Sequence, residues 1–275
     1  MGTCLITAGR SVRPCHPSGI RTISRDLWSE QPKRCRYSLA MPRTARAIVS
    51  GIYYHVLNRG NNRSTVFAEP RDFDAFVELM RRAQGRHSVE VAAVCLMPNH
   101  FHLLVRPQAA ADLAAWLHWI LTTHASRHHR QCNSSGRIWT SRFKAFPVQD
   151  DRHLLTVVRY VERNALRANL VPRAELWPWG SSHWRLANLP PIALSPLAIS
   201  LPVNWLKFLN EPQTAAELAD LRRCVNLGRP YGEASWVQRT ATDLGLTHTL
   251  RRPGRPRQVP SLALRVSARG DPATK

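Results

Sequence analysis

His100 and His102 stand two positions apart in the stretch Leu96-Met97-Pro98-Asn99-His100-Phe101-His102-Leu103-Leu104. In a strand, residues two apart point to the same face and lie about 6.7 Å apart along the chain. Both imidazoles then project together, while Phe101 and Leu103 enter a core on the other side. Two imidazoles so placed can share one divalent ion and leave positions open for a substrate oxygen. Taken alone, the pair is also compatible with two rings on a polar surface.

A second group lies in Arg159-Tyr160-Val161-Glu162-Arg163-Asn164. Positions i and i+4 share a helix face, so Tyr160 and Asn164 sit one above the other. Val158 and Val161 face the core, which puts Tyr160 at the edge of the buried stripe. A phenol there either packs as a core aromatic with a wet tip or acts as a nucleophile. In the second case the Asn164 amide oxygen is a third ligand for the same ion. Tyrosine suits reversible strand transfer, because a phosphotyrosyl ester stores about as much energy as the diester it replaces and rejoining needs no ATP.

Strands and helices must hold these side chains. Ile48–Leu57 is β-branched and aromatic, and it stops at the turn signal Asn58-Arg59-Gly60-Asn61-Asn62. Arg71–Gln84 carries Phe73, Phe76, Val77, Met80 and Ala83 at helical spacing, with Gly85 as the stop. Val89–Met97 and His100–Arg106 read as strands around a Pro98-Asn99 turn. Leu113, Trp116, Leu117, Ile120 and His124 mark one face of a long helix, and Arg137–Val148 is extended. Asp150 or Asp151 caps a third helix with the apolar face Leu154, Leu155, Val158 and Val161. The order β, α, β, β, α, β, α predicts an α+β fold. Its core is a ferredoxin-like (split βαβ) antiparallel sheet with helices on one face, the other face staying free for a ligand.

Outside this core, residues 1–40 show no sustained period and are expected to be a disordered extension or a misassigned start, Met41 being a natural beginning. The catalytic domain is expected over 41–188. A helical appendage follows over 189–250, nearly neutral near 212–246 and with Thr214–Cys224 as a helix, and a basic disordered tail over 251–275. Within that tail Arg251–Arg257 resembles a hook for a DNA minor groove.

The 39 Lys and Arg against 18 Asp and Glu leave a net charge of +21, which points to a polyanionic partner. Six scattered cysteines without a C-x-x-C pair suggest neither a disulfide framework nor a zinc finger. No apolar run reaches the roughly 18 residues of a membrane helix. A cytoplasmic, nucleoid-associated protein without membrane contact is therefore expected. Arg59, Arg63, Arg142, Lys144, Arg159, Arg163 and Arg167 are candidates for phosphate contact, each also readable as an ordinary solvated charge. Tyr53, Tyr54 and Trp139 could stack on bases or pack in the core.

Met-Pro-Asn-His-Phe-His-Leu-Leu, followed some sixty residues later by Tyr-Val-Glu-Arg-Asn-Ala-Leu-Arg-Ala-Asn-Leu-Val, closely resembles the REP-associated tyrosine transposases, which belong to the HUH single-tyrosine transposases. The resemblance covers roughly residues 42–187. It includes His55-Val56-Leu57-Asn58-Arg59-Gly60-Asn61, Trp139 with Arg142-Phe143-Lys144, and Trp177-Pro178-Trp179-Gly180-Ser181-Ser182; residues 228–257 look like the tail of the same family. It implies a Mg²⁺ or Mn²⁺ ion and cleavage of single-stranded DNA next to a hairpin. His100 and His102 match the paired ligands, Asn164 the third ligand, and Tyr160 the nucleophile that stays on the 5′ side of the break. Ala165 stands where the family commonly has Pro, and Asn169 replaces a usual Gly. The resemblance leaves a monomer and a homodimer open. Two other readings use the same residues: a non-catalytic, domesticated DNA-binding relative, and an RNA-binding sheet.

Overall fold

The computed structural model describes residues 48–251 except 141 and 189. The expectations for residues 1–40 and for the tail beyond Arg251 lie outside the described residues.

A four-stranded sheet organises the chain. Its strands are β1 (Tyr53–Arg59), β2 (Val89–Met97), β3 (His100–Pro107) and β4 (Lys144–Val148), in the spatial order β2-β3-β1-β4, and every neighbouring pair is antiparallel. This is the split βαβ order. Helix α1 (Pro70–Gln84) carries the chain from β1 to β2, and α2 (Asp112–Cys132) carries it from β3 to β4. β1 starts later than its composition suggests, because Gly51 (φ 76°) turns the chain first and donates its N–H to the Pro107 carbonyl. At the other end a Cβ on Gly60 would overlap the Ser64 carbonyl and Val66, so only glycine fits that turn.

The strand register assigns the faces. Tyr54, Val56, Phe101, Leu103, Val94 and Leu96 turn to one side, where α1 and α2 lie. Phe76 of α1 meets Phe101 at 5.5 Å and His124 of α2 at 5.3 Å between ring centroids. Trp139 and Phe67 complete this aromatic layer, so Trp139 is core and not an exposed base platform; Tyr53 and Tyr54 are likewise buried.

The second face differs from the open surface expected. It is covered by α3 (Arg152–Glu162), the short α4 (Asn164–Arg167) and α5 (Ser181–Ala187). Asp151 caps α3, accepting the His153 N–H at 2.8 Å. The buried stripe of α3 is Leu154, Val157, Val158 and Val161, with i, i+3, i+4, i+7 spacing. Val157 thus takes the place expected for Leu155, which is only half-buried.

The exposed N–H and C=O groups of the outer strand β2 are satisfied by the segment after α4. Trp177 Nε1 donates to the Leu96 carbonyl at 2.8 Å, the Leu96 N–H to the Trp179 carbonyl at 3.0 Å, and the Val94 N–H to Ser181 Oγ at 3.0 Å. Below this edge lies Glu162, whose side chain is fully buried. It accepts from Ser181 Oγ at 2.6 Å, from Trp205 Nε1 at 3.1 Å and from Arg185. One carboxylate thereby ties α3 to α5 and to α6 (Trp205–Asn210). Removing one partner of a buried pair leaves an uncompensated charge, which costs roughly 3–5 kcal/mol. Glu162→Ala is expected to lower the thermal midpoint by on the order of 10 °C. A melting curve within 2 °C of the parent would show, on that scale, that the carboxylate carries no such weight.

The remaining helices are α7 (Ala215–Leu227) and α8 (Ala234–Asp243). Helix α7 begins as the sequence predicts, with a capping box in which Thr214 and Glu217 satisfy each other's backbone N–H.

Candidate active site

Pairing of β1 with β3 sets Arg59 opposite His100 and Leu57 opposite His102. Those residues, together with His55, turn to the face that α3 covers. His100 is half-buried and His102 is 4% exposed. Their rings stand 5.0 Å apart at 82°. The sequence expectation that the two imidazoles share a sheet face agrees with this register.

Hydrogen bonds define which nitrogen of each ring is available. Asn99 Nδ2 donates to the Arg63 carbonyl at 3.1 Å, so its Oδ1 can only accept, and it accepts at 2.6 Å from His100 Nδ1. His100 therefore carries its proton on Nδ1 and keeps a lone pair on Nε2. His102 Nδ1 lies 2.9 Å from Nε2 of His55, a fully buried residue. The two rings are nearly parallel, at 8°. If His102 donates in this bond, its Nε2 is also a free lone pair. The His55 proton is then on Nδ1, an atom that meets no partner among the described residues. Such an unmet buried donor costs roughly 1–3 kcal/mol.

All three rings are neutral at pH 7. Burial pushes His55 down to about 3 and His100 down to about 4, with Arg167 adding to both and Arg59 to the second. His102 is lowered well below the usual range, first by burial and then by its histidine neighbours and Arg167. Neutral imidazole is the form that ligates metal.

Tyr160 reaches this cluster from α3. Its ring lies 5.7 Å from His102 and 5.8 Å from His55, perpendicular to both. It is 6% exposed. Arg167 lies over the phenol ring, 4.3 Å from the centroid, and also donates to Asn164 Oδ1. Asn164 Nδ2 donates to the Tyr160 carbonyl at 2.8 Å, so its oxygen points away from its own helix turn and one lone pair on it stays open. Burial lowers the Arg167 pKa.

The expected phosphate contacts divide. Arg59, Arg63, Arg142 and Lys144 are exposed, and Arg59, Arg142, Lys144 and Thr140 line one groove at the end of β1 and β4. Arg159 and Arg163 are placed otherwise. Arg159, with only 5% of its side chain exposed, donates to the Glu211 carbonyl at 2.7 Å and stacks on Phe208 at 3.8 Å. Arg163 donates to the Glu211 carbonyl at 2.9 Å and the Asn210 carbonyl at 3.1 Å. These two cations satisfy the carbonyls that end α6, which is where cations stabilise a helix. Both guanidinium groups thereby tie α3 to the end of α6. Arg167 is half-buried and occupied by Tyr160 and Asn164.

Residues 48–164 match the family model described as "Transposase IS200 like". The matched segment contains β1 through α3 and ends on Asn164, so it includes both histidines, His55 and Tyr160. A Haemophilus influenzae protein described as a REP-associated tyrosine transposase is 25% identical over 104 residues, covering 34% of this chain and 59% of that relative's length. Among solved structures, the chain is similar to a REP-associated tyrosine transposase bound to a REP hairpin, at 18% identity and a TM-score of 0.45, covering 58% of this chain and 94% of that one. It is also similar to a Deinococcus radiodurans transposase, at 17% identity and a TM-score of 0.32, covering 44% and 96%. Among the described residues no cluster of three or more His, Cys, Asp or Glu side chains is arranged to hold a metal, and no helix is long and apolar enough to cross a membrane.

Proposed function

We propose that this chain is a transposase that cuts and rejoins single-stranded DNA beside a palindromic hairpin, with Tyr160 as nucleophile. The observation that carries the reading is the meeting of Tyr160 with the His100–His102 pair on one sheet face, inside the segment that matches the IS200-like model. The net charge of +21 supports a nucleic-acid partner in the nucleoid of the cytoplasm.

The donor set fits a divalent ion of the HUH type. His100 presents Nε2, His102 presents Nε2 once His55 accepts its Nδ1 proton, and Asn164 Oδ1 retains a lone pair. Mg²⁺ or Mn²⁺ held by these three would supply Lewis-acid stabilisation of charge on the scissile phosphate. In the cleavage step the Tyr160 oxygen attacks phosphorus and a P–O bond to tyrosine forms. The P–O3′ bond breaks, and the leaving oxygen takes a proton to become a 3′-hydroxyl. The reverse attack by a 3′-hydroxyl restores the diester and the phenol, with no net change in ester bonds. Arg59, across from His100 in the sheet, provides positive charge for the incoming backbone.

A non-catalytic DNA-binding protein of the same fold is a second reading. The hold of Arg167 on both Tyr160 and Asn164 favours it, since that cation must yield before either group can act. The two readings separate on one assay, in which the protein meets an end-labelled, hairpin-bearing single strand with Mn²⁺. Cleavage and a protease-sensitive shifted band are expected, and EDTA is expected to remove both while binding persists. Binding without any cut strand would leave the non-catalytic reading standing.

A further inference from the structure

We propose that α7 and the start of the tail form a phosphate-binding groove for the single-stranded flank of the DNA, guiding that strand toward Tyr160. The proposal rests on the strand-cutting function above and assigns a part of the chain that lies beyond residues 48–164.

Arg222 and Asn226 stand at i and i+4 on one side of α7, and Arg229 follows just past Gly228 (φ 72°), which ends the helix. Leu221 and Cys224 of the same helix are buried in the core. Arg222, Asn226, Arg229 and Arg251 line a groove of about 740 Å³ that has no acidic residue in its wall. Arg223 also borders it but is paired with Asp220 at 3.3 Å. Arg222, Arg229 and Arg251 pair with no carboxylate among the described residues. Three unpaired guanidinium groups around one groove repel one another, and a run of phosphates removes that repulsion.

The groove leads somewhere. Asn226 belongs to it and also to the adjoining groove lined by Arg59, Arg142 and Lys144 at the end of β1 and β4. Arg222 lies near Arg167, whose pKa is lowered chiefly by burial and further by the Arg222 charge. Arg167 in turn covers Tyr160. A strand following the cations from Arg251 and Arg229 past Arg222 arrives at the phenol from one side and at Arg59 from the other. Backbone phosphate is the ligand, and the walls offer no large aromatic side chain for base stacking.

The test compares the parent with Arg222→Ala/Arg229→Ala/Arg251→Ala in the full chain. Dissociation constants are measured in EDTA over a KCl series for two probes, a hairpin with a short single-stranded flank and the same hairpin without it. For the flanked probe the log–log salt slope is expected to fall by about 2, because each single-strand phosphate contact contributes roughly 0.7. The flank-free hairpin is expected to bind both proteins alike. An unchanged slope for the flanked probe overturns the groove. An equal loss for the flank-free hairpin also overturns it, since the arginines then serve the duplex. Mn²⁺-dependent cleavage by the parent is followed in parallel: a parent that shows the slope difference but never cuts keeps the groove and loses the strand-cutting function.

Discussion

Tyr160→Phe is expected to fold, to bind hairpin DNA like the parent, and to form no covalent protein–DNA adduct. Phe keeps the ring that meets His55 and His102 and that Arg167 covers. Only the attacking oxygen is lost. A phenol serving as a plain core aromatic would leave adduct formation untouched by this change, whereas for a nucleophile the loss is complete. Denaturing electrophoresis of a labelled strand with Mn²⁺ reads the result directly, with the label on the side that keeps the 5′-phosphate. A persistent protease-sensitive band in the Phe variant would move the nucleophile elsewhere. Tyr54 is a weak substitute, because it is 1% exposed, lies on the opposite sheet face and accepts the Val49 N–H at 3.0 Å.

His102→Ala is expected to remove Mn²⁺ binding and with it all metal-dependent cleavage, with hairpin affinity retained. His102 is the central ring of the site, 5.0 Å from both His100 and His55. The companion change His55→Phe leaves all three expected ligands in place and takes away the partner of His102 Nδ1. Loss of a group that orients a metal ligand lowers metal affinity by about 10–100-fold. Mn²⁺ titration followed by the electron paramagnetic resonance of the free ion measures both variants without any turnover. Parent-like Mn²⁺ affinity in His102→Ala would place the ion, and the chemistry, at another site.

The pair His100–His102 was legible because the two-residue period of a strand is local information. Tyr160 and Asn164 were legible for the same reason on a helix. His55 was not singled out, although its segment carried part of the family resemblance. Its partner is a diagonal neighbour, since His55 stands opposite Leu104 and His102 opposite Leu57, and that relation exists only once the register is set. Arg159 and Arg163 read as cations on a helix beside the nucleophile. Their carbonyl partners near residue 211 are about fifty positions away, a contact no periodicity encodes. The basic face of α7 was hidden by arithmetic. The 212–246 segment has as many acids as arginines, so its sum is near neutral, while Arg222 and Arg229 line one groove. The covering of the second sheet face was missed because α3 was placed by its own stripe alone, without the strand residues that the stripe needs as a partner.

The way the sheet ends bears on how copies of this protein can meet. At β2 the ladder is closed by Trp177, Trp179 and Ser181, and further along by Ser195, whose N–H bonds the Val91 carbonyl at 2.8 Å. At β4 the Tyr231 N–H takes the Pro147 carbonyl at 2.9 Å and the Tyr231 carbonyl takes the Gln149 N–H at 3.0 Å. Pro147 itself has no N–H to offer outward. Where these bonds are made, a strand from a second molecule finds its backbone partners already taken. Self-association through helices and loops, by side-chain contacts, would leave undisturbed the backbone ladder that holds the histidines.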